Sequence, residues 1–373
     1  MNRSPLQDSR EALEAIDREI LALLKRRMDE VDAIADAKIG AASPLRDRQR
    51  EDLVFQRVRR EAQELGLDPH RIEGLYRQIM EMSIAHQQEH VRHRAKVPLR
   101  VAYQGVEGSY SHLAAQERYA GREGGALLTG HESFEEAAAA VRRGSADFAL
   151  LPIENSTAGS IHATYDLLAE GGLVISGEVV RTIEHCLLAL PASSVETLRT
   201  VISHPQALMQ CEAFLRRLPW VRPVAEFDTA GSARKVRERG DVSVAAIASE
   251  RAAEVYGLEI LERGIQSDTG NATRFFEVAV EAARCPAEAD CKTSLQLVLS
   301  HEPGSLGKVL TQLAERGVNL TKLESRPRRG TPWQVRFYLD LEGHAESERV
   351  AAALEAVRPL TEEMSVLGTY PKG

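Results

Sequence analysis

The chain has 373 residues, which is room for two or three domains, and its 43% hydrophobic and 27% charged residues are ordinary for a globular protein. Its formal net charge of -8 argues against nucleic acid or an anionic membrane as the main partner. The sequence shows no signal peptide and no apolar run long enough to cross a bilayer, so a cytoplasmic location is expected.

The first predicted element is one long helix over residues 6–39, which contain no proline or glycine and repeat apolar residues with a 3.6-residue period. Such a helix spans roughly 50 Å, more than a small domain covers, so a homodimer or higher even homo-oligomer is predicted. Arg27 and Lys38 fall within the apolar stripe, and buried cations require an anion, from either an acidic side chain or a ligand. Arg10 lies about 42 Å from Lys38 along this helix, so both can bind one small ligand only if Arg10 comes from a second subunit.

Two more helices are predicted, from Ser43-Pro44 to Gly66 and from Asp68-Pro69 to about Arg92, and a short basic linker follows over residues 93–98. Their inward faces suit a dianionic ligand that also carries hydroxyl and ether oxygens. Buried ion pairs that hold the helices in register are the alternative. The inward polar side chains of the three helices are Arg10, Arg27, Lys38, Asp47, Arg50, Glu51, Ser83 and Gln87.

The runs SREALEAIDREILALLKRR, DAKIG, PLRDRQRE and SIAHQQ resemble the all-helical class of chorismate mutase. The resemblance implies a helical domain over residues 1–92 that needs no metal or cofactor, because a Claisen rearrangement requires only a folded substrate and positive charge at the ether oxygen. The roles it implies are carboxylate binding by Arg27, Arg50 and the partner subunit's Arg10, ether binding by Lys38 and Gln87, hydroxyl binding by Asp47 and Glu51, and a pocket wall at Ser83.

From Leu99 onward, strands alternate with helices, which predicts an α/β fold of two similar lobes. Three polar loops follow predicted strands, YQGVEGSYS, PIENSTAGS and SHPQALMQ, and a fourth element reads SDTGNATRFFEV. Strand ends are where α/β folds place their sites. Each loop taken alone is better explained by asparagine and serine capping a turn.

Residues 99–280 resemble prephenate dehydratase, which implies a two-lobed, periplasmic-binding-protein-like domain over residues 99–285. The resemblance assigns catalysis to Thr273, Asn155 and Glu154. It implies that Thr273 relays a proton to the departing hydroxyl, that Glu154 is either an acid with a raised pKa or a structural cap, and that Arg274 is a carboxylate fork. The implied substrate-binding residues are Ser156, Ser203, Gln210, Arg274 and Phe275.

The last segment, residues 293–369, has the βαββαβ order of a ferredoxin-like unit and resembles an ACT regulatory domain of the phenylalanine-sensing type. The motifs that carry this resemblance are PGSLG (residues 303–307) and LESRP (residues 323–327). Without an effector, they would be explained as a helix start and the end of a strand. The implied effector-binding residues are Gly304, Ser305, Leu306, Gly307, Glu324, Ser325, Arg326 and Pro327.

The three resemblances stand in the order of the bifunctional chorismate mutase/prephenate dehydratases of phenylalanine biosynthesis. They imply chorismate and prephenate as substrates, phenylpyruvate as product and phenylalanine as feedback effector, with no nucleic acid or membrane partner. One alternative is that the middle domain acts on arogenate. Another is a ligand-responsive transcription regulator, which the long first helix and the 16 basic against 18 acidic residues of segment 1–92 oppose.

Overall fold

The computed structural model describes residues 5–41, 48–94, 98–122, 124–281, 285, 290–328 and 334–373. The chain divides into two compact units, Met1–Val97 and Pro98–Gly373, which are described separately. Within the described residues, no helix is long and apolar enough to cross a membrane.

The first unit consists of α1 (Pro5–Ala41), α2 (Arg48–Glu64) and α3 (Pro69–Arg94), as the sequence predicts. The Asp68 carboxylate caps α3 by accepting the backbone N–H of His70 at 2.9 Å. The predicted start of α2 at Ser43-Pro44 lies outside the described residues. Both α1 and α2 pack on α3, and together they bury Val31, Ala35, Phe55, Val58 and Ile84.

The second unit begins with two lobes, each built on its own sheet. The first lobe contains β1 (Leu99–Gln104), α4 (Tyr110–Tyr119), β2 (Ala126–His131), α5 (Phe134–Arg142), β3 (Phe148–Asn155), β4 (Gly159–Ser160), α6 (His162–Ala169) and β5 (Val174–Thr182). The second lobe contains β6 (Cys186–Ala189), β7 (Thr200–Ser203), α7 (Pro205–Gln210), α8 (Glu212–Leu215), β8 (Arg222–Ala225), α9 (Thr229–Arg239), β9 (Val244–Ala248), α10 (Glu250–Tyr256) and β10 (Glu259–Glu262).

The chain then returns to the first lobe as β11 (Ala272–Ala279), which lies between β3 and β5. The first sheet has the order β2-β1-β3-β11-β5 and the second has the order β10-β6-β9-β7-β8. Two segments therefore connect the lobes, and we call residues 183–185 the first crossing and residues 263–271 the second crossing. The predicted two-lobed α/β fold is confirmed.

The C-terminal part contains β12 (Cys291–Val298), α11 (Ser305–Glu315), β13 (Leu320–Pro327), β14 (Val335–Glu342), α12 (Glu348–Val357), a 3-10 turn (Arg358–Leu360) and β15 (Glu363–Pro371). Its antiparallel sheet has the order β13-β14-β12-β15, which confirms the ferredoxin-like prediction. Leu297 and Leu339 on one face of this sheet pack with Val309 of α11 and Val350 of α12.

The other face of this sheet packs on the first lobe and shares its core. The ring of Tyr338 lies 4.7 Å from that of Tyr165, and the ring of Tyr370 lies 5.7 Å from that of Phe276. Gly368 is required at this contact, because a Cβ there would overlap the Ile175 carbonyl oxygen. The sequence presents residues 293–369 as a separate domain, whereas the structure joins them to the lobes in one compact unit.

The four cysteines have neither C-x-x-C nor zinc-ligand spacing, so the sequence predicts buried or reduced structural thiols, and the structure differs at one pair. Cys186 and Cys211 are free and buried, but Cys285 and Cys291 are joined by a disulfide. The prediction is wrong for this pair, because two cysteines six residues apart match neither C-x-x-C nor zinc-ligand spacing and yet are bonded in the folded chain.

Candidate functional site

The helical unit holds a half-buried cation, Arg27, on the face of α1 that meets α3. Its guanidinium donates to the Ser83 hydroxyl and lies 3.2 Å from the sulfur of Met80. Among the described residues no carboxylate pairs with Arg27, and burial lowers the pKa of its guanidinium. A partly desolvated cation with no neutralising side chain favours an anionic ligand.

Gln87 lies one turn beyond Ser83 on α3 and is only 8% exposed. Its carboxamide oxygen is buried and finds no partner in the part of the chain that the structure describes. An unpartnered buried amide atom costs about 1–3 kcal/mol, so this side chain is suited to a ligand. Arg27, Ser83 and Gln87 therefore form one polar wall between α1 and α3.

The structure describes the side chains of only three of the other predicted residues of the helical unit. Arg10 is exposed on α1, Arg50 is exposed at the start of α2, and Glu51 beside it is half-buried. Lys38 lies in α1, but its side chain is outside the described set, and Asp47 lies outside the described residues altogether.

In the second unit, the pairing of β3 with β11 brings two predicted motifs side by side. Thr273 is opposite Asn155, and Arg274 is opposite Glu154. Since successive side chains of a strand point to opposite faces, one pair faces the cleft between the lobes and the other faces the C-terminal sheet. Neighbouring residues of each motif therefore have different environments.

The pair that faces the cleft is hydrogen-bonded. Asn155 Nδ2 donates to Thr273 Oγ1 at 2.9 Å and to Asn271 Oδ1 at 2.7 Å. Gln210, which ends α7 of the second lobe, reaches across and donates from Nε2 to Thr157 Oγ1 at 2.9 Å. Side chains from both lobes and from the second crossing therefore meet around Asn155.

Ser156 and Asn271 complete this cluster. Ser156 Oγ accepts the backbone N–H of Ala272 at 2.9 Å, which ties the turn after β3 to the start of β11. Asn271 is 1% exposed, and its Nδ2 has no partner among the described residues. The cluster can therefore donate further hydrogen bonds to a ligand in the cleft.

The pair on the opposite face forms a buried ion cluster around Arg274, which is 8% exposed. Its Nη2 donates to Asp340 Oδ2 at 2.6 Å, its Nη1 donates to Glu178 Oε2 at 3.1 Å, and its Nε lies 2.6 Å from Glu154 Oε1. Burial alone would lower the pKa of Arg274, but the carboxylates of Asp340 and Glu154 raise it.

These contacts correct two expectations for the site. Burial opposes the ionisation of Glu154, but Lys322, 2.6 Å away, and Arg274 lower its pKa below the ordinary value. Glu154 is therefore an ionised partner of two cations and is not an acid with a raised pKa. Arg274 is surrounded by three protein carboxylates, so it is not an open fork for a substrate carboxylate.

Two further predicted substrate contacts lie in the core. Ser203 is fully buried, because it ends β7 beside β9 and donates to the Ile247 carbonyl oxygen at 2.6 Å. Phe275 is 1% exposed and packs with Leu150 and Val101, because its side chain lies on the core face of β11. Both expectations of substrate contact are corrected by this burial.

Comparison with known proteins gives three domain matches in chain order. Family models match for chorismate mutase type II over residues 9–88, prephenate dehydratase over residues 101–283 and the ACT domain over residues 293–359. The bifunctional chorismate mutase/prephenate dehydratase of Escherichia coli (strain K12) is 36% identical over 99% of this chain and 97% of that protein. The chain belongs to the bifunctional chorismate mutase/prephenate dehydratase family.

Two other relatives match the dehydratase and ACT domains. Arogenate dehydratase 3 of Arabidopsis thaliana is 44% identical over 73% of this chain and 67% of that protein. The crystal structure of prephenate dehydratase from Arthrobacter aurescens in complex with L-Phe is 31% identical, with a TM-score of 0.67, and covers 73% of this chain and 90% of that one. The enzyme therefore carries chorismate mutase and prephenate dehydratase activities and an ACT domain.

The two groups of residues predicted to bind an effector in the ACT domain face different surroundings. Gly304, Ser305, Leu306 and Gly307 line a depression of about 420 Å³ at the start of α11, together with Phe337 of β14.

The structure does not bring Glu324 and Arg326 to this depression. Glu324 accepts from the Ser160 hydroxyl and Arg326 pairs with Asp166 at 3.1 Å, so both contact the dehydratase domain. Ser325 and Pro327 are exposed on the alternate positions of β13. Within one copy of the chain the two motifs therefore have different surroundings, because the side chains of a strand alternate between its faces.

The structure also reveals polar residues in or next to the cleft that the predicted set of site residues does not include, namely Tyr110, Thr157, His185 and Asn271. Tyr110, Thr157 and Asn271 lie within the quoted motifs: Thr157 is next to Ser156, Asn271 is two positions from Thr273, and Tyr110 lies in a motif that supplied no predicted site residue. His185 belongs to no motif, and only its place in the first crossing brings it to Gln210, whose Oε1 lies 2.9 Å from its Nε2.

Proposed function

We propose that the mutase reaction takes place between α1 and α3, against the wall formed by Arg27, Ser83 and Gln87. The observation that carries this proposal is a half-buried guanidinium beside a buried carboxamide with an unpartnered oxygen. The carboxylates of a dianionic substrate would neutralise the first, and the substrate hydroxyl would donate to the second, since a carboxamide oxygen only accepts. The same chain would supply Lys38, Asp47, Arg50 and Glu51, and the partner subunit's Arg10 would complete the site.

The mutase domain acts as a homodimer or a higher even homo-oligomer. The exposed face of α1 carries Leu13, Ile16, Ile20 and Leu23, each at least 49% exposed. An apolar stripe of this length on a 37-residue helix is suited to a second copy of the same helix. Arg10 lies about 25 Å from Arg27 along α1, too far to share a small ligand within one chain.

Mixed dimers test the shared site. Arg10→Ala and Lys38→Ala should each lower mutase turnover at least about 100-fold when refolded alone, because each removes a charge from the site. Co-refolding them in equal amounts should restore about one quarter of the wild-type turnover, since half of the dimers then contain one intact pocket of two. Arg18→Ala, another exposed arginine of α1, serves as the matched control. No recovery, with subunit exchange demonstrated, would place Arg10 outside the partner's pocket.

The dehydratase reaction takes place in the cleft between the lobes, with Thr273 as the group that passes a proton to the departing hydroxyl. Loss of CO2 and hydroxide forms the aromatic ring, and hydroxide leaves readily only when it is protonated. Thr273 Oγ1 accepts a hydrogen bond from Asn155, so its own hydrogen remains available for the substrate. A hydroxyl is a weak acid, so Thr273 relays a proton, while Gln210 and Ser156 shape the cleft.

Prephenate is the proposed substrate of this cleft, and arogenate is the second candidate. The arogenate dehydratase relative, with 44% identity, favours the second candidate, whereas the bifunctional relative, with 36% identity over the whole chain, favours the first. We expect kcat/KM for prephenate to exceed that for arogenate at least about 10-fold when each is supplied directly. Phenylpyruvate and phenylalanine are the products to measure, and the opposite ratio would assign the cleft to arogenate.

Phenylalanine is the proposed effector of the ACT domain. The L-Phe complex of the Arthrobacter aurescens enzyme supports this proposal, as does the depression lined by Gly304–Gly307. We propose domain boundaries at residues 1–92 for the mutase, 93–98 for the linker, 99–285 for the dehydratase and 293–369 for the ACT domain.

A further inference from the structure

His185 is a buried titratable side chain that the proposed mechanism leaves without a role. It lies in the first crossing and is 2% exposed. Its backbone N–H donates to Gln266 Oε1 at 2.9 Å, and its carbonyl oxygen accepts from the Ile265 N–H at 3.1 Å. Because both of these partners belong to the second crossing, the imidazole is anchored where the two connections between the lobes meet.

The ring of His185 contacts one side chain from each lobe. Its Nδ1 lies 2.8 Å from the hydroxyl of Tyr110 on α4, and its Nε2 lies 2.9 Å from Gln210 Oε1 on α7. Burial lowers the pKa of His185, which favours the neutral imidazole with one donor and one acceptor nitrogen. In the tautomer that carries its hydrogen on Nε2, the ring donates to Gln210 Oε1. The Tyr110 hydroxyl donates to the Glu184 carbonyl oxygen at 2.6 Å and shares the same hydrogen with Nδ1 as a three-centre bond.

The carboxamide of Gln210 is the group that this arrangement orients. An amide can rotate by 180° and exchange its oxygen for its nitrogen, which would present an acceptor where a donor is needed. The bond from His185 holds Oε1 on the side of the crossing, so Nε2 points to Thr157 Oγ1 at 2.9 Å and to Asn155 Oδ1 at 3.3 Å. Asn155 in turn donates to Thr273.

We propose that His185 is a positioning residue of the dehydratase: held by Tyr110, it fixes the carboxamide of Gln210 so that the amide nitrogen donates toward Thr157 and Asn155 beside Thr273. This inference rests on the proposed dehydratase site. It extends the site from the cleft into the crossing and assigns roles to two residues, His185 and Tyr110, that do not touch the substrate.

A double-mutant cycle in the full-length enzyme, with prephenate as the substrate, tests the proposal. His185→Ala should lower dehydratase kcat about 10-fold, with KM changed less than about threefold, because orientation and not binding is lost. Adding His185→Ala to Gln210→Ala should then change kcat less than about twofold, since the group that His185 positions is already absent. His185→Gln keeps a donor near the Nε2 position and should recover most of the turnover.

Tyr256→Phe provides the matched control. Its hydroxyl also bridges the lobes, donating to the Glu107 carbonyl oxygen at 2.9 Å, but it does not contact Gln210. The loss of dehydratase kcat in Tyr256→Phe should therefore multiply with the loss in Gln210→Ala. By contrast, Tyr110→Phe should cause no further loss of kcat when Gln210 is already replaced by alanine. Urea unfolding of each full-length variant, followed by circular dichroism, reports whether the second unit is folded.

One set of results would contradict the inference about His185, and another would contradict the proposed dehydratase site. If the losses from His185→Ala and Gln210→Ala multiply, or if His185→Ala leaves kcat unchanged, His185 does not act through Gln210 and the inference is wrong. If Gln210→Ala itself leaves the dehydratase unaffected, the proposed site is wrong in its assignment of Gln210, and the inference falls with it.

Discussion

Replacing Thr273 by alanine should lower dehydratase turnover at least about 100-fold while mutase turnover stays within about twofold of wild type. The substitution removes the hydroxyl that Asn155 orients at 2.9 Å, and a positioned proton donor typically contributes a factor of about 10² to 10⁴. The mutase is spared because its proposed site lies in a separate compact unit. Prephenate supplied directly measures the first activity, and chorismate measures the second.

Three variants define the cause of this loss. Thr273→Ser keeps the hydroxyl and should retain most of the turnover, whereas Asn155→Ala leaves Thr273 without its donor and should approach the loss of Thr273→Ala. Thr164→Ala removes a buried hydroxyl of the same lobe, bonded to the Pro152 carbonyl oxygen at 2.7 Å, and should cost less than about threefold in turnover. Equal loss of both activities in folded Thr273→Ala protein would show that the two sites are not separate.

Replacing Arg274 by alanine should destabilise the second unit by about 3–5 kcal/mol, the usual cost of breaking a buried ion pair by removing one partner. The carboxylate of Glu178, whose side chain is 0% exposed, would keep Lys292 at 2.7 Å, but Asp340, 7% exposed, would lose its bonded cation. Urea unfolding measures the change. Arg100→Ala, which breaks the half-exposed pair with Asp147, should cost less than about 1 kcal/mol. A similar cost for both variants would contradict the prediction.

The same ion cluster provides a contact between the ACT domain and the catalytic strand. Asp340 belongs to β14, and Arg274 adjoins Thr273 on β11. We therefore expect Asp340→Asn to weaken inhibition of the dehydratase by phenylalanine at least about fivefold, which lies within the usual range of allosteric coupling. Wild-type enzyme that does not respond to millimolar phenylalanine would contradict the proposed effector, and an unchanged response in Asp340→Asn would exclude this route.

Much of the architecture follows from local patterns in the sequence. The 3.6-residue period of residues 6–39 is realised as α1, and the βαββαβ order of the last segment is realised as a ferredoxin-like sheet. These patterns suffice because hydrophobic periodicity and capping act within a few residues of the chain. The motifs around Asn155 and Thr273 can likewise be recognised in the sequence, since each is a short run of neighbouring residues.

The sequence by itself therefore determined the domain order, the fold classes and the main motifs, but the direction of individual side chains depended on tertiary structure. Arg274 and Glu154 sit next to Thr273 and Asn155, yet they face the ACT domain because strand side chains alternate. His185 and Gln210 are 25 residues apart and meet only because the chain crosses between the lobes beside α7. Burial, partners and pKa shifts arise from such long-range contacts, which no local pattern encodes.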